Sequence, residues 1–254
     1  MSTICKLTDV SFGYTSRKKI LNKVSFEIKP GEIVGILGKN GSGKSTILNL
    51  ITGFLSDYSG NITVKNKKIS SYSLKERACA ISYIQQKNFL IPEYYCIEDF
   101  IIDGRRPFRA FGFYKKEDYD LLDRIITICN LQNYRKHLLK ELSGGEIQRC
   151  VFAKAIMKQS DFFLFDEPCS AMDIKYQKDF FEIASNVKKD LKAAVLLTIH
   201  DINLAVNNCD RLLVLDKGCI IFDGTASSVT SEIIAKAFDT NVSTNCSSKK
   251  YFYY

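Results

Sequence analysis

The chain of 254 residues carries 36 Lys and Arg against 28 Asp and Glu, a net charge of +8, and is 46% apolar with nine Cys, two His and no Trp. That composition excludes a disordered or fibrous chain, and apolar runs no longer than strand size, such as 193–197, exclude a membrane-spanning helix. The opening MSTICKLTDV is no signal peptide, the Cys (none in a Cys-x-x-Cys pair) read as reduced, mostly buried thiols of a cytoplasmic protein, and the dispersed Lys residues read as solvated surface.

Alternating apolar residues over 4–12 and 24–28, separated by a polar turn at 15–19, predict an antiparallel β element. After Pro30-Gly31, the compact run Glu32 to Leu37 predicts a buried parallel strand. A helix from Ser45 to Thr52 follows, stopped by Gly53, and then a β-rich stretch over 61–69. Between about 87 and 142 the texture turns helical, with Tyr119, Leu122, Ile125, Ile126 and Cys129 at helical spacing. Beyond it the pattern predicts helix 146–158, strand 162–165, helix 175–188 and strand 194–198. Strands alternating with helices imply a parallel sheet with crossovers. The tail from Ser243 to Tyr254 carries no functional signal, and His137 reads as a surface residue.

Three stretches carry chemistry. Gly38-Lys39-Asn40-Gly41-Ser42-Gly43-Lys44-Ser45-Thr46 satisfies Gly-x-x-x-x-Gly-Lys-Ser/Thr between a predicted strand and a predicted helix. Its glycines let backbone N–H groups turn toward phosphate oxygens, and the helix start adds partial positive charge. Lys44 is placed to reach the β- and γ-phosphates of a nucleoside triphosphate, and the Ser45 hydroxyl to ligate Mg²⁺. Phe162-Phe163-Leu164-Phe165-Asp166-Glu167 is a buried strand ending in two acids. Asp166 suits Mg²⁺, and Glu167 suits the proton of an attacking water. Leu142-Ser143-Gly144-Gly145-Glu146 opens a helix with a Ser-x-x-Glu capping box. Its two glycines in the first turn argue for close backbone approach to a further group, at a second anion-binding helix start.

These motifs, with Leu142–Arg149 reading Leu-Ser-Gly-Gly-Glu-x-Gln-Arg, Asp166-Glu167-Pro168 and His200-Asp201 in that order, resemble an ABC transporter ATPase subunit over about residues 4–240. The resemblance implies a P-loop parallel-sheet core with an N-terminal antiparallel β portion and an inserted helical subdomain. That makes one domain over 1–240, with the helical insertion at about 88–160 and a tail over 241–254. It implies a homodimer in which each ATP lies between one P-loop and the partner's Ser143, Gly144, Gly145 and Glu146. Tyr14 then stacks on adenine, Asp173 belongs to a loop crossing the dimer interface, and His200 holds the γ-phosphate together with Glu167. The Mg²⁺ set is Ser45, Asp166 and Gln86. Gln86 also contacts the water, although Gln85 stands where the family usually has Pro and leaves the choice between the two slightly open. Met172 and Cys169 replace the usual Leu and Thr.

The segment Ile101-Ile102-Asp103-Gly104-Arg105-Arg106-Pro107-Phe108, with Ile199 to Ala205 and then Cys209-Asp210-Arg211, is similar to ATPases of iron–siderophore, haem and cobalamin importers. The resemblance thus implies uptake of a metal chelate, driven by ATP hydrolysis at the cytoplasmic face of the membrane. Separate permease subunits and an extracytoplasmic binding protein would be the partners, with no direct contact to nucleic acid. The competing reading is a non-transport ABC ATPase acting on nucleic acid or the ribosome. Against it stand the short spacing from Lys44 to Leu142, which has no room for long coiled coils, and the presence of only one cassette.

Overall fold

The computed structural model describes residues 3–15, 18–85, 93–109, 113–170, 173–240, 242–246 and 250–253. Strands β1 (Cys5–Phe12) and β2 (Leu21–Ile28) pair antiparallel, Cys5 opposite Ile28 and Phe12 opposite Leu21. Alternation sends Cys5, Leu7, Val10 and Phe12 inward, and Asp9 at φ 50° sits at a break in the register. β3 (Ile33–Leu37) is buried at every position and leads into α1 (Lys44–Ile51). Gly53 at φ 71° ends that helix, as the sequence predicts, by taking the left-handed conformation just past the cap. β4 (Ser59–Val64) lines the free edge of β1 and β5 (Lys67–Lys68) follows, completing a four-stranded sheet of order β2-β1-β4-β5. The β-rich run stops before Ile69, which opens a 3-10 turn.

A capped helix α2 (Leu74–Ala80), bearing the Ser73/Glu76 capping box, then turns into β6 (Ile81–Ile84). Between β6 and the next strand stand α3 (Ile97–Ile102), a 3-10 turn over 103–108, α4 (Lys116–Ile128) and α5 (Gly144–Met157). Then come β7 (Phe162–Phe165), α6 (Ile174–Leu191), β8 (Ala194–Thr198), α7 (Ile202–Asn208), β9 (Arg211–Asp216), β10 (Cys219–Thr225) and α8 (Ser231–Phe238). A hairpin of β11 (Ser243–Cys246) and β12 (Lys250–Tyr253) closes the chain. The second sheet has the order β10-β9-β3-β8-β7-β6; its pairs from β9 to β6 are parallel and β10 is antiparallel.

This sheet separates two cores. Phe162 and Leu164 join the core that contains α1 and the antiparallel sheet, whereas Phe163 and Phe165 face the helices. A strand buried on both faces needs apolar residues throughout, which is why Phe-Phe-Leu-Phe is unbroken. On the helical side Phe152, Phe165 and Phe180 meet edge-on or tilted, with centroids 4.9–5.7 Å apart. The predicted stripe on α4 holds for Leu122, Ile125, Ile126 and Cys129, but not for Tyr119, which is exposed; Leu121 is buried in its place. His137 is exposed, as predicted, and Cys5, Cys129, Cys150, Cys169 and Cys209 are buried.

Candidate functional site

The parallel strands bring their carboxyl ends to one edge. Gly38 follows β3, His200 lies two residues past β8, Asp166 and Glu167 follow β7, and Gln85 follows β6. The loop from Gly38 to Gly43 depends on glycine. Gly38, Gly41 and Gly43 have φ of 155°, 79° and 110°, and a methyl on Gly43 would lie 2.6 Å from Leu21. Among the described residues, no protein acceptor meets the N–H groups of Gly41, Gly43, Lys44, Ser45 and Thr46, and Gly43 provides no side-chain cap for α1. These donors, the start of a helix dipole and a buried ammonium face one concavity.

Lys44 is 5% exposed, and its Nζ donates to the carbonyls of Gly38 (2.7 Å) and Lys39 (3.0 Å). Burial lowers its pKa, opposed by the carboxylates of Glu167 and Asp166. The Lys39 side chain turns outward to Asp239 (2.5 Å). Ser42 Oγ is buried without a partner among the described residues. A cleft of about 500 Å³ opens above the loop, lined by Asn40, Gly41, Gly43, Lys44, Ser45 and Thr46 as well as Tyr14, Ile20, Glu167 and His200. Tyr14 is 61% exposed, braced edge-on by Phe12 (5.1 Å), with its hydroxyl 3.3 Å from that of Thr46. Its ring is therefore free to take a planar group on its face.

Two hydroxyls converge on one acid. Asp166 Oδ1 accepts from Ser45 Oγ (3.0 Å) and from Thr198 Oγ1 (2.7 Å). Thr198 Oγ1 in turn accepts the N–H of Glu167 (2.8 Å), and Glu167 holds a left-handed φ of 49°. That backbone turn sends the Glu167 side chain to His200, whose Nε2 pairs with Glu167 Oε1. Aspartate and serine at the loop mouth form a hard-oxygen donor set that fits Mg²⁺.

The second motif lies at the exposed start of α5. Ser143 Oγ accepts the Glu146 N–H (3.4 Å), and Glu146 accepts both the N–H (2.8 Å) and the hydroxyl (2.7 Å) of Ser143. Tyr134, Ser143 and Arg149 hold the Glu146 carboxyl down at about 2, the hydrogen bond from Tyr134 contributing most. The two glycines differ. A methyl on Gly144 would meet nothing within 4 Å, but one on Gly145 would fall 2.3 Å from the Tyr176 ring. Gly145 therefore also has an internal reason to be glycine, whereas no described neighbour inside the chain requires Gly144 to be one. Asp173 caps α6, its carboxylate accepting the N–H of Tyr176 (3.0 Å).

Residues 21–170 match the family model described as ABC transporter. The chain belongs to that family. As an ABC ATPase it binds and hydrolyses ATP. The petrobactin import ATP-binding protein FpuC of Bacillus anthracis is 31% identical over 246 residues, covering 96% of this chain and 90% of its own. The hemin import ATP-binding protein HmuV of Rhodopseudomonas palustris is 31% identical over 234 residues, covering 88% and 86%. Among solved structures, an ABC transporter described as of metal-chelate type, in an inward-facing conformation, superposes with a TM-score of 0.84 at 25% identity over 100% of this chain and 97% of its own.

On this ABC ATPase fold, Tyr14, the loop 38–46, Asp166, Glu167 and His200 share one cleft or its floor, whereas Ser143 to Glu146 and Asp173 form no part of its lining. Gln86, Ala171 and Met172 lie outside the described residues. Gln85 is described and lies exposed directly after β6. Motif reading gave Thr198 no role, and its sequence signal is only a hydroxyl ending an apolar strand next to the Asp-Glu strand. The Gly-Arg-Arg-Pro turn is also built inward. A methyl on Gly104 would strike the Lys154 carbonyl, and Arg105 and Arg109 share the buried Asp118, while Arg106 is exposed.

Proposed function

We propose that this chain is the ATPase subunit of an importer for a metal chelate of the iron–siderophore, haem or cobalamin type. It works as a homodimer on the cytoplasmic face of the membrane beneath separate permease subunits, with an extracytoplasmic binding protein delivering the cargo. Similarity to the petrobactin and hemin import subunits over nearly the whole chain carries this reading. The metal-chelate-type transporter and the exposed Arg106 in the Gly-Arg-Arg-Pro turn support it. Among the described residues no helix is long and apolar enough to cross a membrane.

In the proposed reaction the free N–H groups of the loop and Lys44 hold the phosphates, and Tyr14 stacks on the adenine. Ser45, Asp166 and Gln86 hold Mg²⁺, which neutralises charge on the phosphate oxygens when bound. Glu167 takes the proton of the attacking water, and His200 fixes the Glu167 carboxylate and reaches the γ-phosphate. Ser143, Gly144, Gly145 and Glu146 close the site from the partner subunit, with Asp173 at the interface. Gly144 supports this because nothing inside the chain requires its missing side chain.

A pull-down of the tagged chain from membranes tests the assignment. Recovery of a multi-span permease, and uptake of labelled ferric siderophore or haem that stops in Glu167→Gln cells, is expected. Recovery of ribosomes or DNA without a permease would favour the nucleic-acid reading instead.

A further inference from the structure

We infer that Tyr176 is a positioning residue for ATP hydrolysis: it clamps the Ser143–Glu146 helix start to the Asp173 loop, so that one subunit presents both as a single rigid edge to the ATP of its partner. The inference rests on the dimer proposed above. Three observations meet on this residue. The hydroxyl-bearing end of its ring lies directly on Gly145, so close that an added methyl would fall 2.3–2.5 Å from three ring carbons. Its own N–H is capped by Asp173, one turn earlier in the chain (3.0 Å). The Arg149 guanidinium lies 5.7 Å from its ring centroid.

Arg149 carries the clamp onward. Its Nη2 approaches Glu146 (4.0 Å), its Nη1 donates to the Asn130 carbonyl (3.3 Å), and its Nε is buried with no partner among the described residues. Glu146 closes the loop by capping Ser143. The ring thus packs on the first turn of α5 at Gly145, next to the exposed Ser143 and Gly144. Packing of the kind seen here transmits rotation because interiors are dense and rotamers discrete. A shift of about 1 Å in a positioning element costs up to roughly 100-fold in rate.

ATP-driven dimerisation in a Glu167→Gln background, read by size exclusion with Mg-ATP, separates positioning from folding. Adding Tyr176→Ala should raise the ATP concentration for half-dimerisation roughly 10–100-fold, while ATP affinity of the isolated subunit stays within twofold. Tyr176→Phe, which keeps the ring, should restore dimerisation to within about threefold of the parent. Should Tyr176→Ala not fold, Tyr176→Leu, which keeps apolar bulk but loses the ring, should give the same split.

An unshifted ATP dependence in the folded Tyr176→Ala or Tyr176→Leu protein overturns the inference, as does equal loss of monomer ATP affinity. Ser143→Arg in the same background is the control. If it abolishes the dimer and Tyr176→Ala does not shift it, the clamp is wrong and the dimer reading stands. If Glu167→Gln gives no ATP-driven dimer, or Ser143→Arg leaves one intact, the dimer reading fails and takes the clamp with it.

Discussion

The two sequence motifs that mark this chain sit in opposite kinds of surroundings. The phosphate loop is concave, ringed by the ends of four parallel strands, and its charged side chains are held by its own chain. Lys44 is held by two loop carbonyls, Asp166 by two hydroxyls, and Glu167 by Thr198 and His200. The Ser143 helix start is convex and exposed, and Gly144 answers to nothing inside the molecule. A half-site that explains itself can bind alone. A half-site whose exposed glycine no described internal neighbour requires invites a visitor. That contrast predicts that changes in the first half strike binding and chemistry within a subunit, and changes in the second strike only the assembled dimer.

Lys44→Ala should have the largest effect, because it removes the loop's buried cation and leaves Asp166 and Glu167 without that countercharge. ATP binding to the isolated subunit should weaken at least roughly 100-fold, and hydrolysis should fall to background. Fluorescent-nucleotide titration checks the first and phosphate release the second. Unchanged affinity would break the account of the concave half.

Glu167→Gln comes next. The amide keeps the reach of the carboxylate toward His200 but cannot accept the water's proton. Hydrolysis should slow by roughly 10²–10⁴-fold with ATP binding retained, so a long-lived ATP dimer should replace the monomer on a sizing column. Wild-type turnover in this variant would remove Glu167 from the base role. Ser143→Arg probes the convex half. Hydrolysis should drop roughly 100-fold, as when one anion-stabilising contact is lost, with monomer ATP affinity within twofold of the parent. A loss of monomer affinity would erase the distinction between the halves.

How much of this was legible beforehand follows the range of the interactions. The phosphate loop could be read because its requirements are local: glycines at positive φ, then Lys and Ser opening a helix after a buried strand. The Asp-Glu strand was equally plain, since burial on both faces demands an unbroken apolar run. Thr198 could not be read, because its role exists only where β8 is hydrogen-bonded beside β7. The internal neighbour of Gly145 was hidden for the same reason, as Tyr176 arrives from α6, across the fold. Tyr119 fits helical spacing on paper, yet the buried arc of α4 runs through Leu121 and Leu122, one step around the helix. Strand β9, with Leu212 to Leu215 fully buried, offered an apolar run that spacing alone does not separate from a short helix.

The smallest predicted effect sharpens the comparison from the structural side. Asp118 is 1% exposed and receives Arg109 Nε (2.5 Å) and Nη2 (2.6 Å), Arg105 Nε (3.0 Å) and the Lys115 N–H (2.9 Å). The Arg109 hydrogen bonds, with the Lys115 N–H and Arg105, hold its carboxyl at about 2, below the usual 3.8. A carboxyl whose folded pKa is depressed stabilises the fold above its unfolded pKa and loses that contribution as pH falls through the folded value. Asp118→Asn should therefore cost about 2 kcal/mol at pH 7, and the gap from wild type should narrow below about pH 4 and close near pH 2. Urea melts across that range measure it, and a gap constant from pH 7 to pH 2.5 would show that the ion pairs are not its source. Because this clamp ties the Gly-Arg-Arg-Pro turn and α4 to the far end of α5, where Arg105 Nη1 also donates to the Met157 carbonyl (3.3 Å), monomer ATP affinity should stay within twofold. A matching fall in ATP affinity would mean that the helical side braces the phosphate loop directly, and that the two halves are less separate than their surroundings make them.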